Sequence, residues 1–429
     1  MSGPERAFRA ATPGVSWIYA GATYLLEPMA APLLAILARN EAEEHRSERL
    51  ARIRPAPVDS WWHAASLGEV AALEPVLLQA ESRELCGRFA VTSTTLAGRE
   101  AAGRRWPGRA SLAPIDLPRT IARSLDARSP GAIILVETEL WPNWIRLALR
   151  RGIRVAVVNG RISDRTWPRY RRWSPVSPAT LSGIAAVSAR SDRDAERFLA
   201  LGVRAKAVRV TGNTKHDRTP SGETAQLPWV GKRLWTAGSV RPGEERPVLA
   251  AFEALRRRHP DLRLALVPRH PEEWPELVPG LLLRGLRVAV RSRPDGADRE
   301  AEVLVVDTRG ELGSFYAAST VVFVGGTLVP VGGHNVMEAA AAGVPVVVGP
   351  HHDVVVEEVQ ELERASALRV VRNSGDLESV LDTWLRDPSA AASAGRRAAE
   401  TASGARGAAG RTLEWLVERG VLPAKGRHG

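Results

Sequence analysis

Residues 320–350, TVVFVGGTLVPVGGHNVMEAAAAGVPVVVGP, decide the fold. The apolar, β-branched run at 320–324 reads as a buried strand. A loop rich in glycine follows, then a helix opening near Asn335, then a second apolar run, VPVVVGP at 344–350. Strands that are apolar throughout, joined by a helix, belong to a parallel sheet covered on both faces. The glycines let backbone approach a phosphate, and the start of the helix offers N–H donors and positive dipole. Glu338, one turn into that helix, is placed to accept ribose hydroxyls. The spacing is neither G-x-x-x-x-G-K-[ST] nor G-x-G-x-x-G, which argues against a P-loop NTPase and a classical dinucleotide fold. The plainer alternative is a packing turn whose glycines only provide tightness.

The same alternation extends outward. VDSWWHAA, RFAVTSTT, GAIILVETE, RVAVVNGR, GIAAVSA and AVRVTGN read as strands in the first half, with helices near 69–80, 118–129 and 191–201 between them. RLWTAGS, LRLALVPRH, LRVAV, AEVLVVD and STVVFVGG continue the pattern in the second half. It breaks at 213–232, where Pro220, Ser221, Gly222, Pro228 and Gly231 cluster. Two α/β blocks about one linker predict two doubly wound domains with a ligand cleft at the carboxyl ends of their strands. The expected limits are an N-terminal segment at 1–44, a first domain at 45–212, the linker at 213–232, a second domain at 233–395 and a closing C-terminal helix within 396–429.

The chain has 429 residues, 44% apolar and 25% charged, which excludes a disordered or collagen-like protein. Its single cysteine, Cys86, excludes a disulfide framework and cysteine zinc fingers. The net charge is +11, but 55 of the 59 basic residues are Arg and only 4 are Lys, and Asn numbers 6. That skew fits a GC-rich genome. Arginines spread among acids, without interleaved aromatics, argue against nucleic acid as the partner. Residues 15–38, VSWIYAGATYLLEPMAAPLLAILA, approach the length of a membrane span. Glu27, Pro28 and Pro32 interrupt the run, so it reads as a membrane-associating segment, with a helix packed on the first domain as the alternative.

Five further groups of residues carry candidate chemistry. In WWHAASLGEV (61–70), Ser66 and Glu69 have the spacing of a capping box; the functional reading makes Glu69 a general base at a strand-to-helix turn. LVETELWPN (135–143) places Glu137 and Glu139 beyond the end of a strand. TGNTKHD (211–217) holds Lys215, notable because a generic cation here would be Arg. PRHPEE places Pro268 and Arg269 at a strand end, suited to an anion. TRGELGSFYAAS opens a helix at Gly310, Glu311 and Leu312, with T-x-x-E again allowing a simple cap. His351, His352 and Asp353 are a poor metal set, since adjacent histidines rarely aim at one ion, and no metal site is expected.

These motifs, together with TSTTLAGRE, PIDLP, VNGRISDRT, SARSDRDAERFLALG and AGSVRPGEE, resemble in order the 3-deoxy-D-manno-octulosonic acid (Kdo) transferases of lipopolysaccharide synthesis, from about residue 58 to about 358. The resemblance implies a GT-B fold, two Rossmann-like domains facing across a cleft. It also implies metal-independent, inverting transfer of Kdo from CMP-Kdo to a lipid A precursor (lipid IVA) at the cytoplasmic side of the inner membrane, an anionic surface. By the same resemblance Glu69 matches the catalytic base, and Glu139 and Lys215 match residues that stabilise the transition state. Pro268, Arg269, Gly310, Glu311, Leu312, Asn335, Val336, Met337 and Glu338 match the CMP-contacting segments. Four positions depart from the family pattern: Val331 stands where Arg is usual, Val336 where Pro is, Arg241 where His is, and His216 where Phe is. The alternative function is a GT-B-type epimerase, hydrolase or transferase acting on a UDP-sugar.

Overall fold

The computed structural model describes residues 21–25, 27–28, 42–52, 55–173, 178–217, 229, 231–294 and 299–424. Two compact units emerge, Met1–Arg218 with Arg406–Gly429, and Thr219–Ala405. Each is built on a seven-stranded parallel sheet.

The first sheet has the order β3-β2-β1-β4-β5-β6-β7. Its strands are β1 (Ser60–His63), β2 (Phe89–Ser93), β3 (Ala110–Leu112), β4 (Ala132–Val136), β5 (Arg154–Gly160), β6 (Ala186–Ala189) and β7 (Val208–Val210). β1 and β4 show why the sequence folds this way. All five residues of β4, AIILV, are buried, and the successive Trp61 and Trp62 of β1 are both inaccessible. Alternate side chains point to opposite faces, so both faces must be covered. Trp61 packs with Ile121, Trp144 and Phe198 on one face. Trp62 packs with Val70, Leu73 and Leu77 on the other.

The second sheet has the order β10-β11-β9-β8-β12-β13-β14. It comprises β8 (Arg233–Val240), β9 (Leu262–Pro268), β10 (Val288–Val290), β11 (Val303–Val305), β12 (Val321–Val324), β13 (Val346–Val348) and β14 (Leu368–Val370). The run at 320–350 thus yields two neighbouring core strands, β12 and β13, joined through the helix Val336–Ala341. In both sheets the strand order reverses direction beside the first strand, at β1/β4 and at β8/β12. Open α/β sheets place their ligands at this switch point.

Two expectations need correction. The single closing helix is two, Pro388–Gly404 in the second unit and Ala408–Glu418 in the first, separated by Gly407 at φ 83°. The second helix lays Ala409, Leu413, Trp415 and Leu416 on the face that holds Leu73 and Leu77. And residues 213–217, expected in the linker, belong to the first unit. Thr214 donates to the Ala72 carbonyl at 2.7 Å, and Asp217 accepts from Gly407 and Ala409 N–H, each at 2.6 Å. Asp217 thereby caps the returning helix, an interaction of about 1 kcal/mol.

Of the stretch 15–38, only residues 21–25, 27 and 28 are described. Among these, Glu27 accepts from Arg119 N–H at 2.9 Å and Thr120 N–H at 2.8 Å. The helix Pro118–Arg128 has no cap of its own, so the acid that interrupts the apolar run is its cap. No helix among the described residues is long and apolar enough to cross a membrane.

Candidate functional site

In the first unit, three carboxylates gather at the carboxyl ends of β1 and β4. Glu69 lies in the first turn of the helix Leu67–Ser82, directly after β1. The capping box forms as its spacing predicts. Ser66 Oγ accepts from Glu69 N–H at 3.4 Å, and Glu69 Oε2 accepts from Ala65 N–H at 2.8 Å. Ser66 Oγ also donates to Glu69 Oε1 at 3.2 Å. Capping does not exhaust the residue, because its carboxyl is half-buried beside other acids. Burial first, then Glu139 and, less, Glu137, push its pKa up to about 8 against the pull of the Ala65 N–H.

Glu137 and Glu139 sit in the turn after β4. Glu137 takes a left-handed backbone at φ 56°, unusual for a residue with a long side chain, and such strain concentrates at functional sites. Its Oε1 accepts from Lys215 Nζ at 2.8 Å. Asn159, at the end of β5 and also left-handed, reaches Glu137 Oε1 at 3.4 Å and accepts from Thr214 N–H at 3.0 Å. Asn159 and Thr214 therefore fix the short turn Thr214–Asp217 that delivers Lys215. Glu139 Oε2 accepts from Trp141 Nε1 at 2.6 Å and lies 3.5 Å from His63 Nε2. Tyr170 closes this side by donating to the Thr138 carbonyl at 3.1 Å. Two of the three carboxylates thus have a cationic or imidazole partner, and Glu69 has only neutral donors.

In the second unit the charge is of the opposite sign. Arg241 follows β8, Arg269 follows β9, and His334 precedes the helix Val336–Ala341. Burial, then Arg269, Arg241 and His270, lower the His334 pKa to about 4, so the ring is neutral at pH 7. Arg241 Nε and His334 Nε2 are buried without a hydrogen-bond partner. The buried Arg241 donor left unpaired beside exposed Arg269 suits an anion.

The glycine loop after β12 works differently from the expectation. Gly326, Thr327 and Leu328 N–H do not lie open to a phosphate; they donate to Glu244 at 2.7, 2.9 and 2.8 Å. Arg241 N–H donates to the same buried carboxylate at 2.8 Å. The amide nest is filled from within, and Gly325 has no room for a Cβ, which would lie 2.7 Å from Ser239 O. Asn335 is a helix N-cap, its Oδ1 accepting from Met337 N–H at 3.1 Å. Val336 and Met337 are core residues, and Glu338 lies near enough to Tyr316 to help raise its pKa. Gly310 turns at φ 91° into the helix Leu312–Ala317. Glu311 is held by Arg291 at 2.7 Å and by the Thr308 hydroxyl, which keeps its pKa low; no capping box forms there. Leu312 packs between two core clusters. Pro268 ends β9 and is buried, and Arg269 N–H donates to Val240 O at 3.0 Å. His352 Nδ1 contacts the Gly349 carbonyl at 3.0 Å. No group of three His, Cys, Asp or Glu arranged to share a metal ion occurs among the described residues.

Sequence reasoning singled out neither His63, Glu244 nor Asp217. His63 lay within a quoted motif, and its position two residues from Trp61 on a buried strand was the available signal. Glu244 bonds to backbone amides about eighty positions away, which no side-chain pattern reports.

Two such sheets with sites at their switch points define a GT-B-like protein. A putative UDP-N-acetylglucosamine 2-epimerase from Listeria monocytogenes superposes with a TM-score of 0.58 at 17% identity, covering 85% of this chain and 96% of that one, which speaks for the fold alone. A family model described as 3-deoxy-D-manno-octulosonic-acid transferase matches residues 24–218. The 3-deoxy-D-manno-octulosonic acid transferase of Haemophilus influenzae is 30% identical over 86% of this chain and 89% of its own length. That of Bordetella pertussis is 34% identical over 69% of this chain and 73% of its own. The chain belongs to the Kdo transferase family, glycosyltransferases of lipopolysaccharide biosynthesis.

Proposed function

We propose that the chain transfers Kdo from CMP-Kdo to a lipid A precursor, with inversion, at the cytoplasmic face of the inner membrane. The observation that carries this is the carboxylate cluster around Glu69. A base must hold a pKa near working pH and sit beside groups that stay ionised. Glu69 meets the first condition with a pKa of about 8, and the Glu137–Lys215 ion pair stands in the turn beside it.

In the reaction, Glu69 takes the proton from the acceptor hydroxyl as its oxygen bonds to the anomeric carbon of Kdo. The bond from that carbon to the CMP phosphate oxygen breaks, and CMP leaves with the electron pair. Lys215 and Glu139 act on the developing charge around the reacting carbon. Arg269 and Arg241 are the cations for the departing phosphate and the Kdo carboxylate. Arg241 takes the place of the arginine missing at Val331, which is 43% exposed. With cations supplied by side chains, the transfer is proposed to need no metal. Pro268, the run Gly310–Leu312 and the run Asn335–Glu338 frame the nucleotide, and residues 15–38 and the basic surface meet the membrane.

The direct test is transfer from CMP-Kdo, generated in place, to lipid IVA, read by mass spectrometry. A Kdo adduct with wild type and none with Glu69→Gln is expected. Greater thermal stabilisation by UDP than by CMP would instead favour a UDP-sugar enzyme.

A further inference from the structure

His63 has no part in the reaction as proposed, yet its ring is held on every side. It ends β1, is wholly buried, and its centroid lies 4.8 Å from that of Trp144. Nδ1 is 3.1 Å from the Thr92 carbonyl oxygen and 3.0 Å from the Thr92 hydroxyl. Trp61 Nε1 donates to that hydroxyl at 3.0 Å, which fixes the threonine in turn. Thr92 thus holds the Nδ1 side of the ring through both its carbonyl and its hydroxyl. The other nitrogen, Nε2, is then directed at Glu139 Oε2, 3.5 Å away, and has no hydrogen-bond partner in this geometry.

Nε2 and Glu139 Oε2 stand within ion-pair reach of one another. The neighbouring charged and titratable groups are Glu69 on the helix Leu67–Ser82, Glu137 in the same turn as Glu139, Lys215 opposite Glu137, and Tyr170. Lys215 is held by Glu137, and His63 is the imidazole that meets Glu139.

We infer that His63 is a positioning residue, whose Nε2 end fixes where the Glu139 carboxylate stands beside Glu69. This rests on the assignment of Glu69 as base. His63 holds Glu139 by its Nε2 end and is itself anchored by its Nδ1 end on Thr92. A merely structural histidine would need only the Thr92 end.

Two variants separate the ends. His63→Asn keeps a polar atom near Thr92 and removes the Nε2 end; His63→Gln keeps a neutral donor near Glu139. With both confirmed folded by thermal unfolding, His63→Asn is expected to lower kcat about tenfold to a hundredfold, the size typical of groups that orient a reacting group. The KM for CMP-Kdo should stay within about twofold. His63→Gln should restore part of the rate. Folded variants that keep the wild-type kcat would overturn the proposal. Failure of the base assignment is distinguishable from this outcome. A fully active Glu69→Gln removes the base, whereas the His63–Glu139 pair is read separately from the ¹⁵N resonance of His63 Nε2. That resonance should move on Glu139→Gln; a resonance that does not respond refutes the pairing whatever Glu69 does.

Discussion

The two sheets have the same architecture and opposite electrostatics at their switch points. Beside β1 and β4, burial and two neighbouring carboxylates raise one acid, Glu69, to about 8. Beside β8 and β12, two arginines, a histidine and burial depress another histidine, His334, to about 4. Burial is the largest cause in both places and favours the neutral form, which raises an acid and lowers a histidine; the charged neighbours push each group the same way. One site thereby holds a proton acceptor of raised basicity, and the other keeps cations unpaired for an anion. The scaffold sets where ligands bind, and a few loop residues set which charge they meet.

The contrast breaks most completely at Glu69. Glu69→Gln is expected to reduce kcat by about a hundredfold or more, the usual contribution of a positioned base. Circular dichroism should show the fold intact, because a glutamine still accepts from Ala65 N–H. On the opposite side, Arg269→Ala should weaken CMP binding about tenfold or more, seen by calorimetry, since a hydrogen bond to a charged group contributes roughly 1.5–3 kcal/mol.

Stability against pH sharpens the comparison, because the two groups act in opposite windows. Glu69 holds its proton more tightly folded than unfolded. Its contribution is full below pH 4.5 and is lost as pH rises toward about 8. His334 holds its proton less tightly folded, so its contribution is full above 6.5 and is lost as pH falls toward about 4. Urea midpoints across pH 5 to 8 should therefore fall less in Glu69→Gln than in wild type. The smallest effect is expected at Asp217→Ala, which removes the cap of the returning helix. It should cost about 1 kcal/mol and lower the melting temperature by a few degrees without changing the pH–rate profile.

Much of this was legible before any coordinates. Both sheets follow from runs such as AIILV and VVFV, whose unbroken apolarity only a doubly covered parallel strand explains. The capping box of Ser66 and Glu69 follows from spacing. Its catalytic face does not, because the raised pKa depends on Glu137 and Glu139, some seventy residues away. The glycine loop misled for a related reason. Its composition reports a tight backbone, but not that Glu244 already fills the amides. The break at Gly407 was hidden by an apolar pattern that continues across it, since packing on two different cores looks alike in one dimension.

The central claim is that Glu69 is a base made strong by burial and by its carboxylate neighbours. It is tested most directly by kcat/KM for Kdo transfer against pH, for wild type and Glu69→Gln side by side. The account predicts a wild-type rate that climbs to a limb near pH 8 and a variant that stays low and without that limb. A Gln variant that tracks the wild-type curve would contradict it.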